Sequence, residues 1–202
     1  MHVPAVTFLL ATAVLAAPAP DLVARRNAIL ARGTEGLEPV DFDQGDGFYS
    51  AVFNETTEAM DVTFVPVSEI LDTSTDITAN AKRSAFELAK RDTTCSGLFS
   101  RDVPSLDWAN VRLADNVNGK TFNLYHWGWV HNNGETSFLC SNSNGQYLLR
   151  QLIIDMQIVV SQRCGGSAAY GYDRRFQGGG AKDLSVGRTW RGDHFCDGKF
   201  HG

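Results

Sequence analysis

Apolar and polar side chains alternate in two short segments of the first third of the chain, 48–53 and 60–67. A period of two is typical of strands with one buried face, so this pattern predicts a two-stranded hairpin. The sequon Asn54-Glu-Thr falls between the segments, where the turn is expected, and predicts a glycosylation site. A short amphipathic helix is expected at 20–32. A hairpin and one helix are too little for a stable isolated domain, so this part should pack on the rest of the chain or stay loose.

The second half of the chain has a mixed pattern. Alternation predicts strands at 108–114, 121–129, 136–141, 168–176 and 184–190. Between the third and fourth of these the apolar period becomes helical, which predicts one long helix ending before Gly165-Gly166. Ser143 and Gln146 have the spacing of a capping box at its start. The sequence therefore predicts an α+β fold: a small disulfide-bonded antiparallel sheet with one main helix packed on a face.

The N-terminus has the features of an export signal. An apolar run over 3–16 ends in the small residues Ala16-Ala17 before Pro18. It is too short to span a bilayer and has a plausible cleavage site, so residues 1–17 are predicted to be a secretory signal peptide. No later run reaches the roughly 18 apolar residues that a spanning helix needs. We therefore expect a secreted, extracellular protein without a membrane span.

The four cysteines fit this compartment. Exported proteins keep disulfides, so two bridges are expected, and three pairings of four cysteines are open. No Cys-x-x-Cys pair suggests a zinc or thioredoxin-type site, and neither a metal nor a cofactor is predicted. The cysteines are Cys95, Cys140, Cys164 and Cys196.

Two dibasic pairs, Lys82-Arg83 and Lys90-Arg91, precede a change in composition. All four cysteines and all four tryptophans follow Arg91. Residues 1–91 carry seven Lys and Arg against thirteen Asp and Glu, whereas residues 92–202 carry eleven against ten. This predicts an acidic, partly ordered pro-region at 18–91, cut by a processing protease of the secretory pathway, and a mature domain at 92–202. Because that domain is nearly neutral, no nucleic-acid partner is expected.

Candidate catalytic chemistry is sparse. The histidines and acidic residues of the second half of the chain have no metal-ligand spacing such as His-Glu-x-x-His. The sequence also has no Gly-x-Ser-x-Gly nucleophile motif and no phosphate loop. The catalytic residues therefore stay unassigned, and an enzyme is not the favoured interpretation. A small secreted hydrolase, a ribonuclease or a cell-wall-active enzyme, remains the alternative. It would use His126 or His131 as an acid or base, together with Glu135 or Asp193.

Three aromatic residues, Tyr125, Trp127 and Trp129, lie close together in the sequence. They are compatible with a surface that stacks on a glycan or contacts a partner. Core packing is the favoured interpretation, because a small domain needs its large apolar side chains inside.

The layout as a whole resembles the precursors of secreted fungal effectors and killer toxins. The resemblance rests on the signal ending Val14-Leu-Ala-Ala-Pro-Ala-Pro, the acidic cysteine-free pro-region, Leu88-Ala-Lys-Arg91 and the even-cysteine domain. It extends over the whole chain but brings no residue-level motif. It implies a virulence-related or toxin-like protein, released by dibasic cleavage, that acts by binding a host or competitor protein or glycan.

Overall fold

A seven-stranded antiparallel sheet and two helices on one of its faces make up the fold. The structure, a computed structural model, describes residues 43–54, 56–57, 59–70, 90–177 and 182–196, all within one compact unit. The predicted signal peptide, the helix at 20–32 and the pair Lys82-Arg83 lie outside the described residues. The α+β class is confirmed.

The elements follow one another in a simple order. The strands are β1 (Gly47–Asn54), β2 (Ala59–Pro66), β3 (Lys90–Phe99), β4 (Thr121–Phe122), β5 (His126–Asn132), β6 (Glu135–Ser141), β7 (Gln146–Tyr147), β8 (Ala169–Gln177) and β9 (Lys182–Trp190). The helices are α1 (Val103–Val117) and α2 (Arg150–Cys164), and a 3₁₀ turn follows β2 at Val67–Glu69. The large sheet has the order β2-β1-β5-β6-β9-β8-β3, and β4 pairs separately with β7. Every pairing is antiparallel, which is the arrangement predicted. The sheet has seven strands, where five from the second half of the chain and a separate hairpin were expected.

The predicted hairpin at 48–53 and 60–67 is present as β1 and β2, and it is part of the main sheet. Strand β1 lies between β2 and β5 and pairs with β5 from Gly47↔His131 to Val52↔His126. Residues on both sides of Arg91 therefore share one hydrogen-bonded sheet. The hairpin packs on the rest of the domain, the first of the two states expected from the sequence.

The segment 108–114, predicted as a strand, is helical and belongs to α1. Its buried side chains recur at the helical spacing of three and four residues: Leu106, Ala109, Asn110, Leu113, Ala114 and Val117. The start signals were present in the sequence, because Asp102 accepts a hydrogen bond from the Ser105 amide and Pro104 occupies the first turn. The part of the chain that the structure describes thus has two fifteen-residue helices, where one main helix was expected.

The predicted long helix is confirmed as α2, but it begins later than the capping-box pattern indicated. Its N-terminal cap is Leu149, which makes no side-chain cap bond, while Ser143 and Gln146 bond to each other in the turn before it. The C-terminal end is as predicted, with Gly165 in the left-handed region at φ 102°.

The two faces of the sheet are buried differently. Both helices cover one face, where the main apolar core joins Val130, Leu139 and Val186 to residues of α1 and α2 such as Leu113 and Met156. The opposite face, here called the helix-free face, carries the alternate side chains of the same strands. Phe195, from the segment after β9, covers its centre and stacks on Phe138 with ring centroids 4.9 Å apart.

The two expected disulfides are present, and the structure selects their pairing. Cys95–Cys164 ties β3 to the end of α2, and Cys140–Cys196 ties β6 to the segment after β9. The bridges join residues with sequence separations of 69 and 56, and they act mainly by constraining the unfolded chain.

Candidate functional site

Among the predicted catalytic candidates, His126 is the one that is half-exposed and hydrogen bonded to a hydroxyl group. Its Nε2 shares a hydrogen bond of 2.8 Å with Ser50 Oγ on β1, and its ring stacks on Phe122 with centroids 3.6 Å apart. Burial, helped by the charge of Lys120, lowers the pKa of His126 to about 4. The imidazole is therefore neutral near pH 7, as a base that accepts a hydroxyl proton must be.

His131 lies five residues further along β5 and consequently on the helix-free face. Its side chain is 1% exposed, and its Nδ1 is hydrogen bonded to Thr136 Oγ1 at 2.8 Å. Burial and the charge of Arg191 lower the pKa of His131 to about 4, against the opposite effect of Asp43 and Asp46. His126 and His131 therefore cannot act on one substrate from the same face.

The two acids that were predicted to work with the histidines are enclosed. Glu135 accepts hydrogen bonds from Ser100 Oγ at 2.7 Å and from the Tyr170 hydroxyl at 2.8 Å. Burial and this carboxylate raise the pKa of Tyr170 well above its ordinary value. These hydroxyl contacts satisfy a buried carboxylate inside the domain.

Asp193 is enclosed as well, near the buried threonines that lie beside His131. It accepts a hydrogen bond of 2.5 Å from Thr189 Oγ1, and Thr189 is the cross-strand neighbour of Thr136, the partner of His131. His131, Thr136, Thr189 and Asp193 are each 3% exposed or less. The arrangement is a buried polar row across three strands, and a substrate has no access to it.

The tryptophans of the predicted aromatic cluster belong to the core. Trp127 and Trp129 are 5% and 1% exposed, and Trp129 stacks on Tyr49 of β1 with the rings nearly parallel. The interpretation as core packing is therefore confirmed for both. Neither of them forms an exposed stacking surface.

A cleft of about 400 Å³ opens on the helix-free face, on strands β3, β8, β9 and β6. Its inner wall is made by Phe138, Phe195 and the Cys140–Cys196 disulfide. The rim is polar, with Thr94, Asn142, Tyr172 and Arg174. Sequence reasoning missed this site, because its residues are dispersed over five parts of the chain and form no motif.

The positive charge of Arg174 at the rim is compensated by Asp183. Arg174 donates two hydrogen bonds to Asp183, from Nε to Oδ1 at 2.8 Å and from Nη2 to Oδ2 at 2.6 Å, and this bidentate contact raises the pKa of Arg174. Apolar walls with a few fixed polar groups are typical of ligand pockets. The cleft can therefore accept a ligand that combines an apolar face with hydrogen-bonding groups, such as a protein side chain or a sugar.

Gly187 lies on β9 between Phe138 and Tyr172, two of the residues that line this cleft. A Cβ at this position would lie 2.5 Å from the Phe138 ring and 2.5 Å from Tyr172 Cβ. Only a residue without a side chain lets the two aromatic residues flank the strand at this point.

The predicted processing and glycosylation sites lie at the ends of strands. Lys90 and Arg91 open β3, where they pair with Phe176 and Arg175 of β8. Asn54 ends β1 in the hairpin turn, and its Oδ1 accepts a hydrogen bond from the Thr56 amide at 2.9 Å. The Asn54 amide nitrogen donates to Asp61 at 2.8 Å at an exposed position. Cleavage and glycosylation both stay predictions.

Three further observations bear on function. In the part of the chain that the structure describes, no helix is long and apolar enough to cross a membrane. Within the same ranges, no three His, Cys, Asp or Glu side chains gather where they could hold a metal ion. Comparison of the sequence with protein-family models, with curated proteins and with solved structures finds no match.

Proposed function

We propose that the protein is a secreted binding protein of the effector or toxin type, made as a precursor and cut at a dibasic site. The apolar N-terminal run, the dibasic pairs and the two disulfides support export and processing. The target is a protein or glycan of a host or competitor cell, and the proposed contact surface is the cleft on the helix-free face.

The observation that carries this proposal is the contrast between the cleft and the candidate catalytic groups. The cleft combines apolar walls with an exposed polar rim, whereas His131, Glu135 and Asp193 are enclosed in separate hydrogen bonds. Recognition needs an accessible, shaped surface, and catalysis needs accessible, convergent groups. The described residues offer the first of these at the cleft, and of the second they offer the half-exposed contact of Ser50 with His126.

Binding of the labelled, secreted protein to yeast cells, filamentous hyphae and plant cells tests the proposal. Arg174→Ala removes the guanidinium from the cleft rim, where its side chain is 44% exposed, so the fold should survive. Ile158→Ala is the matched control, because Ile158 is 46% exposed on α2 at the opposite side of the sheet. We expect Arg174→Ala to weaken binding at least tenfold and Ile158→Ala to bind normally. Equal binding by the two variants, or binding to none of the cells, would contradict the proposal.

The processing part has its own test. Replacing both Lys90 and Arg91 by Ala should leave the chain uncut after Arg91, with altered activity, because the precursor form would persist. The intact mass of the secreted protein, measured with and without reductant, gives the cleavage position and the number of disulfides. If the uncut variant had the full activity of the processed protein, a role of the pro-region in controlling that activity would be contradicted.

A small secreted hydrolase is the alternative, and one contact favours it. Ser50 Oγ and the neutral His126 lie 2.8 Å apart and are half-exposed, which is the spacing that a nucleophile and its base have in a serine hydrolase. Ser50→Ala and His126→Ala would then each abolish hydrolysis of ester and peptide substrates by the protein. Absence of turnover by the unaltered protein would eliminate this alternative.

A further inference from the structure

The structure assigns residues 43–70 a permanent place in the domain: we propose that dibasic cleavage, which belongs to the proposed function, yields a two-chain protein in which this segment stays bound. The N-terminal chain then supplies β1 and β2, and the C-terminal chain supplies the rest of the sheet. The cut releases no separate domain of residues 92–202.

The backbone pairing is the first reason. Strand β1 is an interior strand that pairs with β2 on one side and, over six register positions, with β5 on the other. Loss of residues 43–70 would turn β5 into an edge strand with unpaired backbone groups. Such an edge pairs readily with other chains and promotes aggregation. Retention of β1 prevents this.

The side chains of β1 give the second reason, because they reach both faces of the sheet. Tyr49 is fully buried and stacks on Trp129, with centroids 5.0 Å apart and the ring planes within 3°. Phe48 points to the helical side, where it belongs to the main core together with Val130. Removal of β1 would expose apolar surface in two places, which is unfavourable in water.

An ionic contact ties the start of the segment to the far end of the chain. Arg191, just after β9, donates to Asp43 through Nε at 2.6 Å and to Asp46 through Nη1 at 2.8 Å. Asp46 also accepts a hydrogen bond from the Asn133 amide at 3.0 Å. A guanidinium that bridges two carboxylates is among the stronger charged contacts at a protein surface. These residues remain in place whichever dibasic pair is cut.

The association after cleavage is noncovalent. Both disulfides, Cys95–Cys164 and Cys140–Cys196, join residues that follow Arg91. The two chains are therefore held by the sheet, the core and the Arg191 contacts, and denaturant without reductant should separate them. The bound segment also completes the Ser50–His126 hydrogen bond, whose two members come from different chains after cleavage.

An engineered cut tests the inference apart from natural processing. A recognition sequence for a site-specific protease is inserted between residues 72 and 81 of the full chain, and the purified folded protein is cut in vitro. We expect the two pieces to co-elute on size exclusion in native buffer and to separate in denaturant. Separation in native buffer would overturn the inference. Absence of natural cleavage would instead contradict only the processing part of the proposed function.

Two matched variants of the engineered protein show how strongly the N-terminal piece is held by the rest of the protein. Tyr49→Ala should weaken retention of the N-terminal piece about a hundredfold, because a buried aromatic stack dominates such an interface. Val52→Ala, on the same strand but 42% exposed, should change it less than about twofold. If Tyr49→Ala does not fold, Asp43→Asn with Asp46→Asn replaces it, with an expected loss of about tenfold. Equal retention in the altered and control variants would overturn the inference.

Discussion

Tyr49 stacks on Trp129, and these two residues lie on opposite sides of the predicted cleavage site in the sequence. Their rings are nearly parallel, and both side chains are at most 1% exposed. A discarded pro-region would have to leave this contact. Because the stack is part of the folded sheet, it favours retention of the segment before Arg91 after cleavage.

The stack makes a prediction for the uncut chain. Tyr49→Ala removes a fully buried aromatic side chain and should lower the free energy of unfolding by about 3–5 kcal/mol. Val52→Ala on the same strand should lower it by less than about 1 kcal/mol. Urea unfolding followed by tryptophan fluorescence measures both. Similar losses in the two variants would show that β1 is not built into the core.

The second disulfide has a distinct expected role. Replacing Cys140 and Cys196 by Ala should cost about 2–4 kcal/mol, because the bridge closes a loop with a sequence separation of 56 residues. It should also loosen Phe195 and weaken target binding, because this bridge lines the cleft. Replacing Cys95 and Cys164 by Ala should cost a similar free energy with binding intact, which urea unfolding and the cell-binding assay can check. Loss of target binding in both variants would contradict a specific role of the Cys140–Cys196 bridge in shaping the cleft.

The buried His131 predicts a pH dependence. Its pKa is lowered to about 4 in the folded protein, whereas an exposed histidine has a pKa of 6.5. The unfolded chain therefore binds the proton more readily, so stability is complete above about pH 6.5 and falls as the pH drops toward 4, by roughly 3 kcal/mol. Arg191, Asp43 and Asp46 are the charged groups that act on this imidazole.

His131→Asn is the control for this effect. An asparagine amide can keep the hydrogen bond to Thr136 but does not titrate, so the variant should lose most of the pH slope. The half-buried His126 titrates in the same direction and would supply the slope that remains. Urea midpoints between pH 4 and 7 compare the two proteins. An unchanged slope in the variant would contradict the account of His131.

Gly187 predicts a change at the helix-free face. In Gly187→Ala the new Cβ would press on the Phe138 ring and on Tyr172, so the variant should lose about 1–3 kcal/mol and bind its target less well. Gly134→Ala is a suitable comparison, since the Cβ there meets no atom within 4 Å and only the positive φ of 86° is strained. Urea unfolding and cell binding check both. Normal target binding by Gly187→Ala would show that the cleft is not the contact surface.

Local patterns explain which parts of the fold could be predicted. The alternation at 48–53 and 60–67 and the helical period before Gly165 are properties of short segments, and the structure confirms the hairpin and α2. The segment 108–114 was assigned wrongly because its apolar residues also alternate over a short window. The capping residue Asp102 and the following Pro104 were the better signal.

The candidate site depended on information that a single sequence lacks. The pairing of β1 with β5, and with it the contact of Ser50 with His126, joins residues 76 positions apart, and no local pattern specifies such a register. The disulfide pairing and the cleft likewise follow from the strand order. The histidines and acids were visible as residue types, but their burial decides whether they are accessible, and burial is a property of the whole fold.

Native mass spectrometry of the secreted, processed protein shows whether the segment 43–70 stays bound after cleavage. We expect one complex that contains an N-terminal chain including residues 43–70 and a C-terminal chain beginning after a dibasic pair. In denaturing solvent without reductant the same sample should resolve into two separate masses. A folded protein that contains only residues 92–202, with no N-terminal chain bound, would contradict the account.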